Sequence, residues 1–305
     1  MTLILDGGMG RELHRLGAPF RQPEWSALAL IEAPEFVSHA HERFAEAGAQ
    51  VLTTNSYAVV PFHIGDEYFA ESGQELADLA GDCARQVADR HGLKVAGSLP
   101  PAMGSYQPEL FDADAAREIL SILIKGLGPY VDIWLAETLS CLEEARIAGD
   151  LLAEDQRPLW LSFTLDDEGP AQLRSGESIV AAATLARELD VDALLFNCSA
   201  PEVMDLAVRQ AREALGGAAV QIGVYANGFD QYEPELPANE GLSDMREDLG
   251  PQRYLAFARQ WVASGASIIG GCCGVGPEHI SALSAGLDLV PDGSSREAGY
   301  ERVQA

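Results

Sequence analysis

The sequence has few cations, few cysteines and no long apolar run. Lys and Arg number 20 among 305 residues against 47 Asp and Glu, which gives a formal charge of −27. This balance argues against binding to nucleic-acid phosphates, which depends on clustered Lys and Arg, and against an anionic membrane surface. No stretch approaches the roughly 18 apolar residues of a membrane span. The sequence therefore predicts no nucleic-acid partner and no membrane partner.

Five cysteines are too few, and an odd number, for a disulfide framework. They indicate a reducing compartment in which thiols serve chemistry or packing. Residues 1–6 have neither a basic flank nor a cleavage site, so we expect no signal peptide there. These features predict a cytoplasmic protein, and they leave its oligomeric state open.

Apolar, β-prone runs alternate with helical patterns along the chain. The eight runs are Leu3–Leu5, Val51–Thr53, Leu93–Gly97, Val131–Ala136, Leu159–Leu165, Ala193–Phe196, Val220–Tyr225 and Ser267–Ile269. Most are continuous rather than alternating, as in parallel strands that are buried on both faces. Eight βα units without an obvious hairpin predict a single-domain (β/α)8 TIM barrel over residues 1–288, with a doubly wound open sheet as the alternative. Residues 289–305 are predicted to be a polar tail, and residues 227–249 an acidic insertion.

Three of the five cysteines lie at predicted strand ends. Cys198 follows the sixth strand, and Cys272 and Cys273 follow the eighth within Gly270–Gly274. Strand ends meet at the C-terminal face of a barrel, where barrel enzymes have their active sites. Three thiolates with one open position describe a catalytic zinc site, and the flanking glycines let adjacent sulfurs turn towards one ion. The alternatives are buried thiols without a metal, or a disulfide between the two adjacent cysteines.

Two carboxylates also lie at strand ends. An unpaired Glu137 after an apolar strand would be costly, so a cationic ligand group is its expected partner. Asp6 is either a second such group or a cap for the glycine-rich turn that follows it. Other reactive residues have simpler interpretations: Cys83 is expected in the core, Cys141 in packing, and His279 at the surface or in a helix cap.

The strand-end motifs, in this order, resemble those of the homocysteine S-methyltransferase family over residues 1–288. The motifs are Asp6-Gly7-Gly8-Met9-Gly10, Thr53-Thr54-Asn55-Ser56-Tyr57, Glu137-Thr138, Asn197-Cys198-Ser199 and Gly270-Gly271-Cys272-Cys273-Gly274. The resemblance implies a zinc-bound barrel that transfers a methyl group to the sulfur of homocysteine, giving methionine. It implies Cys198, Cys272 and Cys273 as zinc ligands, and Asp6 and Glu137 as the carboxylates that hold the amino group of homocysteine.

The resemblance also implies a set of substrate-contacting residues. They are Gly7, Gly8, Trp25, Thr53, Asn55, Ser56, Tyr57 and Asn197. Thr53–Ser56 are expected to receive the carboxylate of homocysteine, and the rings of Trp25 and Tyr57 to face a cationic donor. Leu139 stands where the betaine-using branch of the family has an aromatic residue. We therefore expect a methyl sulfonium, S-methylmethionine or S-adenosylmethionine, to be the donor.

Two other functions remain open at this point. A zinc hydrolase on the same barrel is the first, although such sites favour His and carboxylate ligands and no His lies at a predicted strand end. A non-enzymatic zinc or thiol sensor built on Cys272 and Cys273 is the second.

Overall fold

The apolar runs form one parallel β-sheet in the computed structural model of the protein, which describes residues 1–229 and 246–290. The strands are β1 (Leu3–Ile4), β2 (Val51–Thr53), β3 (Lys94–Leu99), β4 (Ile133–Leu139), β5 (Leu159–Phe163), β6 (Ala193–Asn197), β7 (Gln221–Ala226) and β8 (Ile268–Gly271). Their spatial order is β1-β8-β7-β6-β5-β4-β3-β2. A parallel bridge between Leu5 and Val51 joins the two outer strands. The predicted (β/α)8 barrel is confirmed, and a strand order without reversal excludes the doubly wound sheet.

Helices cover the outside of this barrel. Those in the described residues are α1 (Met9–Leu16), α2 (Ser26–Glu32), α3 (Pro34–Glu46), α4 (Pro61–Ile64), α5 (Asp66–His91), α6 (Ala113–Leu127), α7 (Leu142–Leu151), α8 (Ile179–Glu188), α9 (Pro201–Leu215), α10 (Pro251–Ser264) and α11 (Pro277–Gly286). Five of them begin with proline, whose missing N–H is not needed in the first turn. Asp112 and Ser178 cap α6 and α8 by accepting hydrogen bonds from Ala115 N and Ala181 N, at 2.9 and 3.1 Å. Among these helices, none combines the length and apolar character of a membrane-crossing segment.

Strand alternation divides the buried side chains into two cores. Leu52 and Trp134 face the helices and belong to the large outer core, while their neighbours Val51 and Leu135 fill the barrel interior. Successive side chains of a strand point to opposite faces of the sheet. The same alternation decides which side chains further along each strand point into the barrel. Most of the predicted insertion (227–249) and of the predicted tail (289–305) lies outside the described residues.

Helices α3 and α5 bury two polar side chains in the outer core. Cys83 on α5 is 5% exposed, which confirms its predicted place in the core. His41 on α3 is wholly buried, and within residues 1–229 and 246–290 neither of its ring nitrogens has a hydrogen-bond partner. Burial lowers the pKa of His41 from 6.5 to about 4, because the charged imidazolium loses its hydration.

The unpaired His41 should make the stability of the fold depend on pH. Between about pH 6.5 and pH 4 the unfolded chain binds a proton at this residue that the folded chain does not, so the free energy of unfolding falls as the pH decreases. We expect His41→Leu to raise that free energy by about 1–3 kcal/mol at pH 7, because it removes unpaired buried polar atoms. Urea denaturation at pH 7 and pH 5 measures both effects.

The exposed His39 of the same helix offers a control. His39→Leu should leave the free energy of unfolding within about 0.5 kcal/mol of the unmodified protein. An equal pH dependence in His41→Leu and in the unmodified protein would contradict the assignment.

Candidate active site

Polar side chains replace apolar ones where the barrel interior reaches its C-terminal end. Glu137 takes the inward position of β4 that follows Leu135. One of its carboxylate oxygens accepts a hydrogen bond from Ser98 Oγ on β3, and the other accepts one from the Tyr225 hydroxyl on β7 at 3.0 Å. Burial raises the pKa of Glu137 above its usual range, against the opposing effect of these two hydrogen bonds. Within the described residues, the carboxyl group therefore lies in the mouth of the barrel with hydroxyl partners and no ion pair.

Asp6 is the second buried carboxyl group at the mouth. Its oxygens accept hydrogen bonds from the backbone N and the hydroxyl of Thr53, at 2.7 and 2.9 Å. Burial raises the pKa of Asp6 to about 7 despite these bonds, and the nearby charge of Glu137 raises it further. The carboxyl oxygens thus bind the neighbouring strand β2. The sequence had left open that they would cap the glycine-rich turn. Two carboxyl groups that are costly to ionise together favour a cationic ligand.

Gly7 and Gly8 let the chain after β1 pass directly against the loop after β8. A Cβ atom on Gly8 would lie 2.5 Å from the carbonyl oxygen of Cys272, and one on Gly7 would lie 2.7 Å from Cε1 of Phe44. Any side chain here would displace the loop that carries two cysteines. The glycine-rich turn therefore serves close packing in this structure.

Three cysteine sulfurs meet beside this turn. The sulfurs of Cys198, Cys272 and Cys273 all lie within 4.8 Å of one another. A disulfide joins Cys198 to Cys272, whose Cα atoms are 5.7 Å apart, and Cys273 carries a free thiol. The disulfide thus links β6 to β8, and the alternative of a bond between the two adjacent cysteines is wrong. Reduction of this bond gives two thiols, which together with that of Cys273 make a set of three.

This set of donors fits a soft cation. No His, Asp or Glu joins the three sulfurs in the cluster as far as the described residues go. Burial raises the pKa of Cys273 to about 11, and the charge of Glu137 adds to the effect. A thiol in this environment stays protonated at neutral pH unless a cation binds it. Three sulfurs fit a catalytic zinc site in chemistry and number, since such a site takes three protein ligands.

The loops at this end of the barrel contain unusual backbone conformations. Trp25, Tyr106, Thr138 and Cys198 have φ angles of 49°, 66°, 58° and 49°. Left-handed conformations of non-glycine residues cost about 1–3 kcal/mol each and concentrate at functional sites. In the described residues, only Asp190 shares this feature without lying at the C-terminal face. Nothing in the sequence signals these four positions, because none of them is glycine.

Three of the predicted substrate-contacting residues are engaged within the protein. Asn197 is fully buried, accepts hydrogen bonds from Thr138 N and Ser162 Oγ, and donates one to Thr138 Oγ1 at 2.8 Å. Asn55 Nδ2 donates to the carbonyl of Ser26 at 3.0 Å. The third, Ser56, is also fully buried and donates to the carbonyl of residue 98 at 2.8 Å. These side chains hold the loops of the site in place.

Two of the predicted substrate-contacting residues, both aromatic, are partly exposed at the C-terminal face of the barrel. The hydroxyl of Tyr57 lies 2.6 Å from Ser105 Oγ. Burial raises the pKa of Tyr57 above its usual range, and the charges of Glu137 and Cys273 add to the effect. Trp25 packs over Gly10, and its buried Nε1 has no hydrogen-bond partner among the described residues.

Leu139 does not line the mouth of the barrel. It is 3% exposed and belongs to the outer core between sheet and helices. The strand register shifts between Ala136 and Leu139, where Thr138 takes its left-handed conformation. The absence of an aromatic side chain at position 139 therefore carries no information about the donor, and that part of the sequence argument is wrong.

His279 and Cys141 lie at helix starts. His279 is buried and caps α11: its Nδ1 accepts a hydrogen bond from Gly276 N, and its Nε2 lies 3.1 Å from the carbonyl oxygen of Leu249. The predicted capping role is confirmed, and the surface alternative is wrong. Cys141 precedes α7, where its backbone N donates to Glu144.

Sequence reasoning missed several residues of the site. Ser98 and Tyr225 take inward positions of β3 and β7, so counting the register of each strand would have found them. Asn227 follows β7, and its side-chain oxygen is buried without a hydrogen-bond partner in the part of the chain that the structure describes. The sequence places it at the start of the predicted insertion and suggests no role for it. Arg174 belongs to the loop after β5, and no sequence pattern separates it from the other arginines.

Comparisons with known proteins agree with this geometry. The sequence profile of homocysteine S-methyltransferases matches residues 3–287. Homocysteine S-methyltransferase 1 of Arabidopsis thaliana is 29% identical over 93% of each chain, and selenocysteine methyltransferase of Astragalus bisulcatus is 27% identical over 92% of this chain and 90% of its own. The metallated form of the Escherichia coli homocysteine methyltransferase MmuM superposes with a TM-score of 0.75 at 28% identity, covering 93% of this chain and 96% of that one. MmuM is also known in an oxidized form, with a TM-score of 0.75 at 27% identity, over 93% and 95% of the two chains.

The barrel with its cluster of thiols and carboxyl groups is thus that of a methyltransferase. The chain belongs to the homocysteine S-methyltransferase family.

The raised pKa of Asp6 predicts that the site destabilises the ligand-free protein at neutral pH. Because the folded chain holds this proton up to about pH 7 and the unfolded chain loses it near 3.8, the free energy of unfolding falls as the pH rises through that interval. We expect Asp6→Asn to raise this free energy by about 2–4 kcal/mol at pH 8 and by little at pH 4. Urea denaturation at both pH values measures the difference.

Asp150 on α7, which is 54% exposed, provides the matched control. Asp150→Asn should change the free energy of unfolding by less than about 1 kcal/mol at either pH. A stability gain in Asp6→Asn that is equal at both pH values would show that the buried charge is not the cause.

Proposed function

We propose that the protein transfers a methyl group from a sulfonium donor to the sulfur of homocysteine, forming methionine, with Zn²⁺ held by the reduced thiols of Cys198, Cys272 and Cys273. The observation that carries this proposal is the meeting of three cysteine sulfurs and two buried carboxyl groups at one barrel mouth. Membership of the family and the metallated form of the E. coli relative support it.

The carboxyl groups of Asp6 and Glu137 are assigned to the amino group of homocysteine. Each is held by protein hydrogen bonds that fix its direction, and burial raises the pKa of each. An ammonium group supplies the missing charge. Thr53 orients Asp6, and we assign Asn55, Ser56 and Asn197 to the support of the loops around the substrate.

The thiols provide the reactive end of the site. When bound there, zinc lowers the pKa of a coordinating thiol and holds it in position. The sulfonium gives up its methyl group as the C–S bond breaks and its electron pair stays on the departing neutral thioether. No residue of the protein has to donate a proton, which agrees with the absence of His from the thiol cluster in the described residues.

A sulfonium donor of the S-methylmethionine type fits this site best, with S-adenosylmethionine as the second sulfonium. We assign the partly exposed rings of Tyr57 and Trp25 to the wall that faces the donor. A ring face attracts a cation by roughly 0.5–2 kcal/mol. Because a sulfonium is intrinsically reactive, it needs less stabilisation from the protein than a quaternary ammonium does.

A thiol sensor is the second candidate function, since the structure contains the disulfide between Cys198 and Cys272. A disulfide and a bound metal are alternative states of the same sulfurs. Methylation of homocysteine by the reduced, zinc-loaded protein separates the two functions, because a sensor binds the metal without turnover of homocysteine.

Zinc content tests the proposal directly. After reduction, the protein should bind about one zinc per chain, and Cys198→Ala, Cys272→Ala and Cys273→Ala should each lose zinc and activity while keeping the circular dichroism of the barrel. Cys83→Ala should keep zinc and lose roughly 1–2 kcal/mol of stability through a small core cavity. Full zinc retention in Cys198→Ala, measured by atomic absorption, would remove Cys198 from the ligand set.

A panel of donors tests the substrate. With homocysteine, kcat/KM for S-methylmethionine should exceed that for glycine betaine by at least about tenfold, or about 1.4 kcal/mol of transition-state stabilisation. Tyr57→Phe keeps the ring and should change the KM of the donor little, whereas Tyr57→Leu should raise it. Equal or higher kcat/KM with betaine would overturn the donor assignment and leave the homocysteine assignment standing.

A further inference from the structure

One ion pair behind the thiol cluster differs from the others in its burial. Arg174 Nη2 lies 2.7 Å from Asp167 Oδ2, and the two side chains are only 13% and 10% exposed. In each other pair of an arginine with a carboxylate among residues 1–229 and 246–290, at least one side chain is more than 30% exposed. Burying two charges gains little stability because of their desolvation, so such a pair more often serves specificity of structure.

The pair is connected to both ends of the turn that carries Cys198. Arg174 Nε donates a hydrogen bond to Thr164 Oγ1 at 3.3 Å, and that hydroxyl donates to the carbonyl oxygen of Cys198 at 3.2 Å. On the other side, Asp167 Oδ1 accepts a hydrogen bond from Ala200 N at 2.7 Å. Arg174 and Asp167 therefore hold the Cys198–Ala200 turn from the loop after β5.

This turn needs such support because of its backbone. Cys198 has a φ angle of 49°, a conformation that a non-glycine residue keeps only where its surroundings enforce it. Within the turn, Ser199 Oγ accepts a hydrogen bond from Leu165 N at 2.7 Å, and Cys198 N donates to the carbonyl of Tyr225 at 3.3 Å. The direction of the Cys198 sulfur thus depends on contacts from neighbouring strands, and most of them come from the loop after β5.

Arg174 also contacts an aromatic ring. Its guanidinium lies 4.8 Å from the centre of the Tyr106 ring. Burial raises the pKa of Tyr106, and the charge of Cys273 adds to the effect. Arg174 is thus held by the ring on one side and by Asp167 and Thr164 on the other.

We infer that Arg174 is a positioning residue of the metal site: paired with Asp167, it holds the Cys198 turn so that its sulfur meets those of Cys272 and Cys273. The inference rests on the proposed zinc site. It concerns the geometry of the ligands, so its effect should be largest on metal affinity.

Competition for zinc with a chromophoric chelator measures that affinity on the reduced, full-length protein. Arg174→Met keeps the stem of the side chain and removes the guanidinium, and it should weaken zinc binding roughly 10- to 100-fold, as loss of a partner behind a metal ligand does. Thr164→Val removes only the hydroxyl that reaches Cys198 and should weaken binding in the same direction. The double variant should weaken zinc binding by a smaller factor than the product of the two single-variant factors, because both substitutions act through the same contact.

Two controls separate this role from a general loss of stability. Arg146→Met breaks an ion pair whose side chains are 52% and 53% exposed on α7 and α8, and it should leave zinc affinity unchanged. Cys83→Ala destabilises the core away from the site and should also keep its affinity. Thermal unfolding of each metal-free variant shows how far its fold is weakened.

The outcomes are distinguishable. If the unmodified protein binds zinc and both Arg174→Met and Thr164→Val bind it equally tightly, the positioning role is overturned while the zinc site stands. If Cys83→Ala loses as much affinity as Arg174→Met, the effect is one of stability and the role is again overturned. If the reduced, unmodified protein takes up no zinc, the proposed function itself fails.

Discussion

The hydrogen-bonded carboxylate of Glu137 ties three strands together at the mouth of the barrel. Ser98 comes from β3 and Tyr225 from β7, so one side chain of β4 is held both by its neighbouring strand and by a strand further round the barrel. This is possible because each residue takes an inward position of its own strand, above an interior filled by apolar side chains. A shift of one residue in any of these strands would turn its polar group into the outer core. The site thus depends on the register of the sheet, and the apolar layer below maintains that register.

Electrostatic imbalance is the second constraint. Asp6, Glu137 and Cys273 all have raised pKa values, because burial removes the water that would stabilise their charges. The fold therefore accepts a cost in the ligand-free state that a cation and an ammonium group would relieve. Proteins often lose stability in this way where they bind or react, since the groups that suit a ligand do not suit one another.

The sequence contains enough information to predict the barrel and the meeting of its thiols. Continuous apolar runs identify parallel strands, and a closed barrel brings the ends of all its strands to one face, so Cys198 and Cys272 had to come close. Contacts between side chains of distant loops could not be predicted in this way. Arg174 has no local pattern, and the left-handed backbone of Cys198 depends on hydrogen bonds with the loop after β5 and with β7. The direction of the Leu139 side chain could not be predicted either, because a shift in strand register turns it into the outer core.

The contact between Gly8 and the carbonyl of Cys272 joins the beginning of the chain to its last strand. Nearby, Thr2 pairs with Leu289, so the two ends of the barrel sequence lie side by side. During synthesis the ribosome releases Cys198 more than seventy residues before Cys272. Cys198 therefore lacks its partner sulfurs until β8 and the residues after it have been synthesised. Neither a disulfide nor a three-thiol site can form between these strands before almost the entire barrel has left the ribosome, which makes the site one of the last parts of the molecule to be assembled.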